Sequence, residues 1–327
     1  MAFIPGGIYL MGSDRHYPEE APAHCVAVDD FWIDRDPVTN AEFERFVQDS
    51  GYVTLAERSL DPALYRGVAK NLLQPSSLVF SPPGLPVASA AWQEWWRLVP
   101  GASWRRPYGP GSTCRGLEAH PVVHVAFEDA LAYARWAGKD LPTEAEWELA
   151  ARGGLEEAEY AWGDTFTPGG QYMANTWQGR FPYENNPLDG FERTSPIRSF
   201  PPNGYGLYDM IGNVWEWTCD FYAPRHAAPA VKPCCVPRNP RNSTPETSFD
   251  PALPANGVPR RVIKGGSHLC APNYCRRYRP AARQAQAIDS PTSHVGFRCV
   301  ARDAGAGTAQ TTRGRAGPST RSPGRHT

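Results

Sequence analysis

No apolar run in this 327-residue chain approaches the ~20 residues that a membrane-crossing helix needs, and leucine heptads are absent. The first ten residues contain Pro5-Gly6-Gly7 and lack a basic stretch followed by an apolar one, so no signal peptide is expected and the chain reads as cytoplasmic. Net charge is nearly missing as well. Thirty-three Lys and Arg against 34 Asp and Glu leave -1, which excludes a global field for nucleic acid or membrane. Cysteine is sparse at eight, too few for a disulfide scaffold of this length. In a reducing compartment such thiols act as nucleophiles or metal ligands.

Proline (34), glycine (30) and tryptophan (11) are plentiful, which suits a turn-rich chain packed by large aromatics rather than by long helices. Three helices are predicted. One is capped by Thr39 or Asn40 with Phe43, Phe46 and Val47 on one face. The second runs from Phe127 to Trp136 and ends at Gly138. The third opens with the capping box Thr143 and Glu146 and ends at Gly153-Gly154. Strands are predicted at Ile8–Ser13, Cys25–Ile33, His120–Val125, Pro259–Lys264 and Gly296–Ala301. Residues 55–118 read as irregular chain held by aromatics, and 160–218 lacks helical periodicity. Residues 304–327 hold almost no apolar side chains and read as a disordered tail, so the domain is placed at 1–303.

One stretch concentrates chemistry. Gly265-Gly266-Ser267-His268-Leu269 leads into Cys270, and Cys275 follows with Arg276, Arg277, Tyr278 and Arg279. Guanidinium charge lowers a thiol pKa, and the thiolate is the form that reacts or binds metal. A buried structural cysteine sits instead in an apolar run. Two thiolates make a soft site that favours Cu(I) over hard cations. A disulfide within the pair remains open, as does a zinc site with Cys234 and Cys235, although adjacent cysteines lack the usual hook spacing. His120 and His124 do not share a metal on a strand, since four residues there span roughly 13 Å. His268 is expected in an outer layer or at the surface.

Six ordered blocks carry a resemblance: Met11-Gly12-Ser13 after Pro5-Gly6-Gly7, Leu141-Pro142-Thr143-Glu144-Ala145-Glu146-Trp147-Glu148, Asn203-Gly204-Tyr205-Gly206-Leu207-Tyr208-Asp209-Met210, Gly212-Asn213-Val214-Trp215-Glu216-Trp217, Lys264-Gly265-Gly266-Ser267 and Gly296-Phe297-Arg298. Together they resemble the formylglycine-generating enzyme (sulfatase-modifying factor) superfamily over roughly residues 3–303, and the Cys270–Cys275 pair resembles that of its aerobic, bacterial-type enzymes. The resemblance implies an α+β fold, the family's variant of the C-type-lectin-like fold, with little regular secondary structure.

It also implies an activity: oxygen-dependent conversion of the cysteine in a Cys-x-Pro-x-Arg motif of an unfolded sulfatase to Cα-formylglycine. Cu(I) would be held by Cys270 and Cys275, a thiol reductant would be consumed, and the enzyme would act as a monomer. Loss of a Cβ hydrogen would leave a thioaldehyde, which water converts to the aldehyde with loss of sulfide. Ser267 falls where the family places an active-site hydroxyl, although a turn hydroxyl bonding backbone is the competing reading. Tyr274 and Trp215 match aromatic positions near the family's pocket, Trp215 being read first as core.

Two calcium sites are further implied, one at Asn175, Thr176, Asp189 and Phe191 (through its carbonyl), the other at Asp209, Gly212, Val214 and Glu216, with Gly212 and Val214 acting through carbonyls. Hard oxygen ligands on irregular chain suit Ca²⁺. Pro280 and Ala151 stand where secreted animal members carry disulfide cysteines, so Cys299 is expected to be a free thiol. Two rival functions fit the fold. A non-catalytic peptide-binding module has no need of the two thiols. An iron-dependent sulfoxide synthase needs His-x3-His-x-Glu, whereas here Ala126 follows His120 and His124.

Overall fold

The computed structural model describes residues 1–63, 65, 67–87, 92–227, 236–252 and 257–302. Cys234, Cys235 and the 304–327 tail lie outside the described residues, as does residue 303. In chain order the strands are β1 (Ala2–Ile4), β2 (Gly7–Met11), β3 (His24–Val28), β4 (Phe31–Ile33), β5 (Ser76–Phe80), β6 (Trp96–Pro100), β7 (Trp215–Phe221), β8 (Arg260–Lys264), β9 (Arg283–Ala287), β10 (Val295–Gly296) and β11 (Val300–Ala301). The helices are α1 (Asn40–Ser50), α2 (Phe127–Trp136) and α3 (Glu144–Arg152).

Most of the chain is loop, as expected. A four-stranded sheet runs β10-β7-β8-β9, with β10 parallel to β7 and the other pairs antiparallel. A three-stranded sheet, β1-β4-β11, brings both ends of the described chain together. Two antiparallel pairs, β2-β3 and β5-β6, complete the set.

All three helices form where their caps predict. Thr39 and Thr143 each accept an N3 N–H while the N3 glutamate reaches back, and Gly51 and Gly153 end α1 and α3 in the left-handed region. The apolar stripe of α1 packs as anticipated: Phe43, Phe46 and Val47 join Trp104, Tyr133 and Phe297 in the main core. A second core joins Ile4, Phe31 and Ile33 to Trp147 of α3. A third, with Phe80, Trp95, Trp177 and Phe181, reaches Leu269 beside the cysteine pair.

Several expected strands differ. The Cys25–Ile33 run is two strands, broken where Asp29 and Asp30 turn and the Asp30 carboxylate accepts the Gly6 N–H. The Gly296–Ala301 run is likewise two short strands in different sheets, because buried Arg298 turns to Glu216 between them. His120–Val125 is not a strand. His124 adopts φ +61 and is held by Ser77 Oγ and the Pro107 carbonyl, while His120 bonds Thr194 Oγ1. The two rings thus bond different partners, and the extended geometry expected for this stretch is not the one observed. Residues 55–118 contain the β5-β6 pair, and β9 was not anticipated at all.

Candidate active site

Helix α3 is buried on every side, although it carries Glu144, Glu146, Glu148 and Arg152. Each charge has a partner. Arg283 of β9 grips Glu144 at 2.6 Å and Lys264 of β8 reaches Glu148 at 3.0 Å. Arg302 holds Glu146, and Arg152 also reaches Glu148. The Lys264 and Arg152 charges outweigh burial and hold the Glu148 carboxyl down to about 2. These pairs anchor the end of β8 and the start of β9, and the loop between them carries the cysteines.

That loop starts with two residues that must be glycine. Gly265 (φ +92) and Gly266 (φ +74) lie in the left-handed region, and a Cβ on Gly265 would come within 2.8 Å of the Met210 carbonyl. The chain then wraps around the first thiol. The Ser267 N–H points at Cys270 Sγ (3.4 Å), and the Cys270 N–H returns to the Ser267 carbonyl. A following turn carries the Cys275 N–H onto the Ala271 carbonyl at 2.9 Å. Cys270 Sγ and Cys275 Sγ end 3.2 Å apart as free thiols, well beyond the ~2.05 Å of a disulfide.

Both thiols are buried, at 2% and 6% exposure, despite the basic, glycine-rich sequence around them. The reason is that the arginines disperse. Arg279 forms a buried fork with Glu20, and Arg276 lies half exposed with its N–H on Tyr17 Oη. Only Arg277 faces the pair, with Nη1 3.8 Å from Cys275 Sγ, braced by Glu19 and by the Tyr17 ring. The two thiols therefore diverge. A hydrogen bond from Cys270 and the Arg277 charge lower Cys275 to about 6, whereas burial pushes Cys270 well up. The arrangement favours negative charge on Cys275 and the proton on Cys270.

The pair lies on the wall of a cavity of about 610 Å³, which Ser267, Trp215, Tyr274 and Arg277 also line. Ser267 is fully buried and its Oγ accepts the Leu269 N–H, so the turn reading applies at the cavity wall. Trp215 is buried at the start of β7, serving core and cavity together. Tyr274 is partly exposed and stacks on Phe181 at 4.3 Å. His268 is not at the surface: it is buried, with Nδ1 on the Asn213 carbonyl.

Trp92 and Trp96, aromatics of the irregular 55–118 stretch, line the cavity too. His294, which the sequence pattern did not single out, lies beside β10 with Nδ1 on Thr292 Oγ1. Gln284 to Ala287 come from β9. Glu19 and Glu20, far away in sequence, neutralise the basic loop. The only signal for them was charge opposite to three unpartnered arginines.

The oxygen-rich residues form two adjoining knots. Asn175 is buried and donates Nδ2 to the Arg193 carbonyl, but its Oδ1 has no partner. Asp189 accepts the N–H groups of Thr176 and Phe191 and the Gln178 amide, and burial raises its carboxyl. The Asn175 carbonyl accepts the Asn213 N–H, joining this knot to the next. There Asp209, raised by burial to about 6, accepts the Arg198 N–H and the Asn213 amide. Gly212 (φ +75) donates its N–H to the Gly265 carbonyl, and Val214 is buried beside it. Glu216 is held by a two-bond Arg298 fork at 2.7 and 2.8 Å and by Trp147 Nε1 at 2.7 Å. Among the described residues no three His, Cys, Asp or Glu side chains converge as a metal cluster.

Fold and site define an α+β protein that displays a buried dithiol on the loop between two sheet strands, at the wall of an open cavity. The family model for the sulfatase-modifying factor enzyme 1-like domain matches residues 1–303, and the chain belongs to that family. It is 55% identical over 299 residues to the formylglycine-generating enzyme of Mycobacterium tuberculosis (strain ATCC 25618 / H37Rv), covering 91% of this chain and 96% of that one. It is 44% identical over 304 residues to the formylglycine-generating enzyme of Mus musculus, covering 92% and 74%. Among solved structures, PvdO from Pseudomonas aeruginosa shares the fold at TM-score 0.59 and 23% identity, over 91% of this chain and 92% of that one. Among the described residues no helix is long and apolar enough to cross a membrane.

Proposed function

We propose that this protein oxidises the cysteine of a Cys-x-Pro-x-Arg motif in an unfolded sulfatase to Cα-formylglycine, using molecular oxygen and a thiol reductant. The observation that carries the reading is the free, buried pair Cys270–Cys275, 3.2 Å apart on the wall of a cavity large enough for a peptide segment. The relatives named formylglycine-generating enzyme support it. Overall, one O₂ and two reductant thiols convert the side chain CH₂–SH to CHO, releasing H₂S, water and the reductant's disulfide.

Cys270 and Cys275 would hold Cu(I). Their chemistry fits, since two free sulfurs, one already close to a thiolate at neutral pH, form a soft donor set with little proton to displace. When bound, the ion would supply oxygen activation beside the substrate sulfur. The chain's own residues do the rest. Arg277 holds negative charge on Cys275, the Ser267 N–H steadies Cys270, and Trp215 and Tyr274 exclude water from the reacting end of the cavity.

Calcium is proposed at the Asn175, Thr176, Asp189 and Phe191 knot, where the unpartnered Asn175 Oδ1 is a buried acceptor in need of a donor or cation. At Asp209, Gly212, Val214 and Glu216 the fit is poorer, because Arg298 and Trp147 already occupy Glu216. We place the enzyme in the cytoplasm as a monomer. Six free cysteines among the described residues, Cys299 included, suit a reducing compartment.

The test is aldehyde formation on a Cys-x-Pro-x-Arg peptide, read by mass. Wild type with copper and thiol should convert it, and Cys270→Ser and Cys275→Ser should each lose about 10³-fold or more, as expected for a group acting in the reaction itself. Undiminished turnover in both variants would sink the assignment. Copper bound by wild type and lost in either variant would support the ligand roles.

A further inference from the structure

The loop that carries Cys270 and Cys275 connects β8 to β9, and β9 is the outer strand of its sheet. Gln284, Ala285, Gln286 and Ala287 all line the same cavity as the thiols. Successive strand residues send side chains to opposite faces. A cavity that meets four in a row therefore reaches the edge of the strand, besides the sheet face where Arg260 lines it.

The register shows what that edge offers. Arg260 and Val262 turn their carbonyls towards β7, where the Tyr222 N–H and Thr218 Oγ1 donate to them. Main-chain groups alternate sides along an antiparallel strand, so Arg261 and Ile263 face β9 and bond their partners Gln286 and Gln284. The Ile288 N–H on the Pro259 carbonyl continues the same phase. Ala285 and Ala287 must then turn their main-chain groups outward. The Ala287 carbonyl accepts the Ser290 N–H. The Ala285 N–H and C=O and the Ala287 N–H have no hydrogen-bond partner among the described residues. Unpaired strand edges of this kind are templates for another strand.

We propose that the substrate segment docks as an added strand along β9, pairing its main chain with Ala285 and Ala287. The occupant is an extended, unfolded stretch of polypeptide that carries the reacting cysteine, so the inference rests on the function proposed above. The dimensions agree. Lys264 pairs with Arg283 at the end of the strands where the thiol loop begins, and Ala287 lies four residues further, roughly 13 Å. Cys-x-Pro-x-Arg also spans four residue steps.

The phase agrees too. Proline has no N–H, so in a docked strand it must occupy a position that points away from the ladder. Cys, Pro and Arg stand at positions one, three and five and share that phase. The two x positions then face β9, two residues apart, as Ala285 and Ala287 are. Contact through main chain alone accounts for the freedom of the x side chains, because strand addition draws affinity from the backbone.

Peptides with serine in place of the reacting cysteine, singly N-methylated at each non-proline position, test this by fluorescence anisotropy. Methylation at either x position should weaken binding about tenfold or more, and methylation at positions one and five should change it less than about threefold. Ala285→Pro removes an outward N–H without breaking a β8 bond and should weaken the unmethylated peptide similarly, while Ala285→Val should not. Weakening that ignores the alternation, or wild-type affinity in a folded Ala285→Pro variant, would overturn strand addition. The alternation can be read even if the proline variant fails to fold. Aldehyde formation on the cysteine peptide is scored separately, so failure of the reaction and failure of the docking mode are told apart.

Discussion

Cys275 and Cys270 differ in their neighbours. The first accepts a hydrogen bond from Cys270 and is reached by Arg277, and the second is enclosed by Leu269, Ala271 and the turn from Ser267. Their proton affinities separate accordingly, with Cys275 down from an ordinary 9.0 to about 6 and Cys270 well up. Iodoacetamide should therefore alkylate Cys275 first in metal-free, reduced protein, with a rate that rises through about pH 6 and then levels. Arg277→Gln should move that midpoint upward, and mass mapping against pH checks both. Taken alone, the depressed Cys275 thiol contributes stability that is full above 9.0 and lost as pH falls through about 6, while the raised Cys270 thiol acts in the opposite sense above 9.0. The cysteine spacing and the basic residues were legible in the sequence. Which arginine mattered was not, because Glu19 and Glu20 arrive from 250 or more positions away in the chain to neutralise Arg277 and Arg279.

Helix α3 shows how an element can be legible in outline and hidden in its role. Thr143, Glu146 and Gly153 mark its ends in the sequence, and they form the caps observed. Three glutamates in a short capped helix suggest a solvated face, yet the whole helix is buried. The charges survive because β8 and β9 bring Lys264 and Arg283 to them. Lys264→Met should leave Glu148 with a missing counter-charge and cost about 3 kcal/mol. Adding Glu148→Gln should recover part of that loss, and urea unfolding of the single and double variants measures the difference. Strand β9 itself escaped prediction for a related reason. Arg283-Gln284-Ala285-Gln286-Ala287 has weak strand propensity, and its pairing to β8 supplies what its side chains do not.

Across the whole molecule, large aromatics and buried polar knots replace long regular elements. Buried histidines are part of this. Burial lowers His124 and His268 to about 4 and His294 to about 3 from an ordinary 6.5. Their contribution to stability is full above 6.5 and lost as pH falls towards 4, because the unfolded chain accepts the protons first. Asp129, Asp209 and Asp220, raised by burial to about 6, act in the opposite sense between 6 and 3.8. His124→Gln should therefore lower Tm at pH 7.5 but flatten the remaining slope of Tm between pH 6.5 and 5, which calorimetry across that range resolves. By itself the sequence determined the three helices, the glycine turn, the thiol pair and the family, since caps, left-handed glycines and local spacing act within a few residues. Only the tertiary structure decided the rest: that the thiols are buried and unequal, that among the described residues Arg277 is the arginine facing them, and that the edge of β9 left unpaired by those residues runs along the same cavity. Those properties depend on desolvation and on charges brought together from distant parts of the chain, which no local pattern encodes.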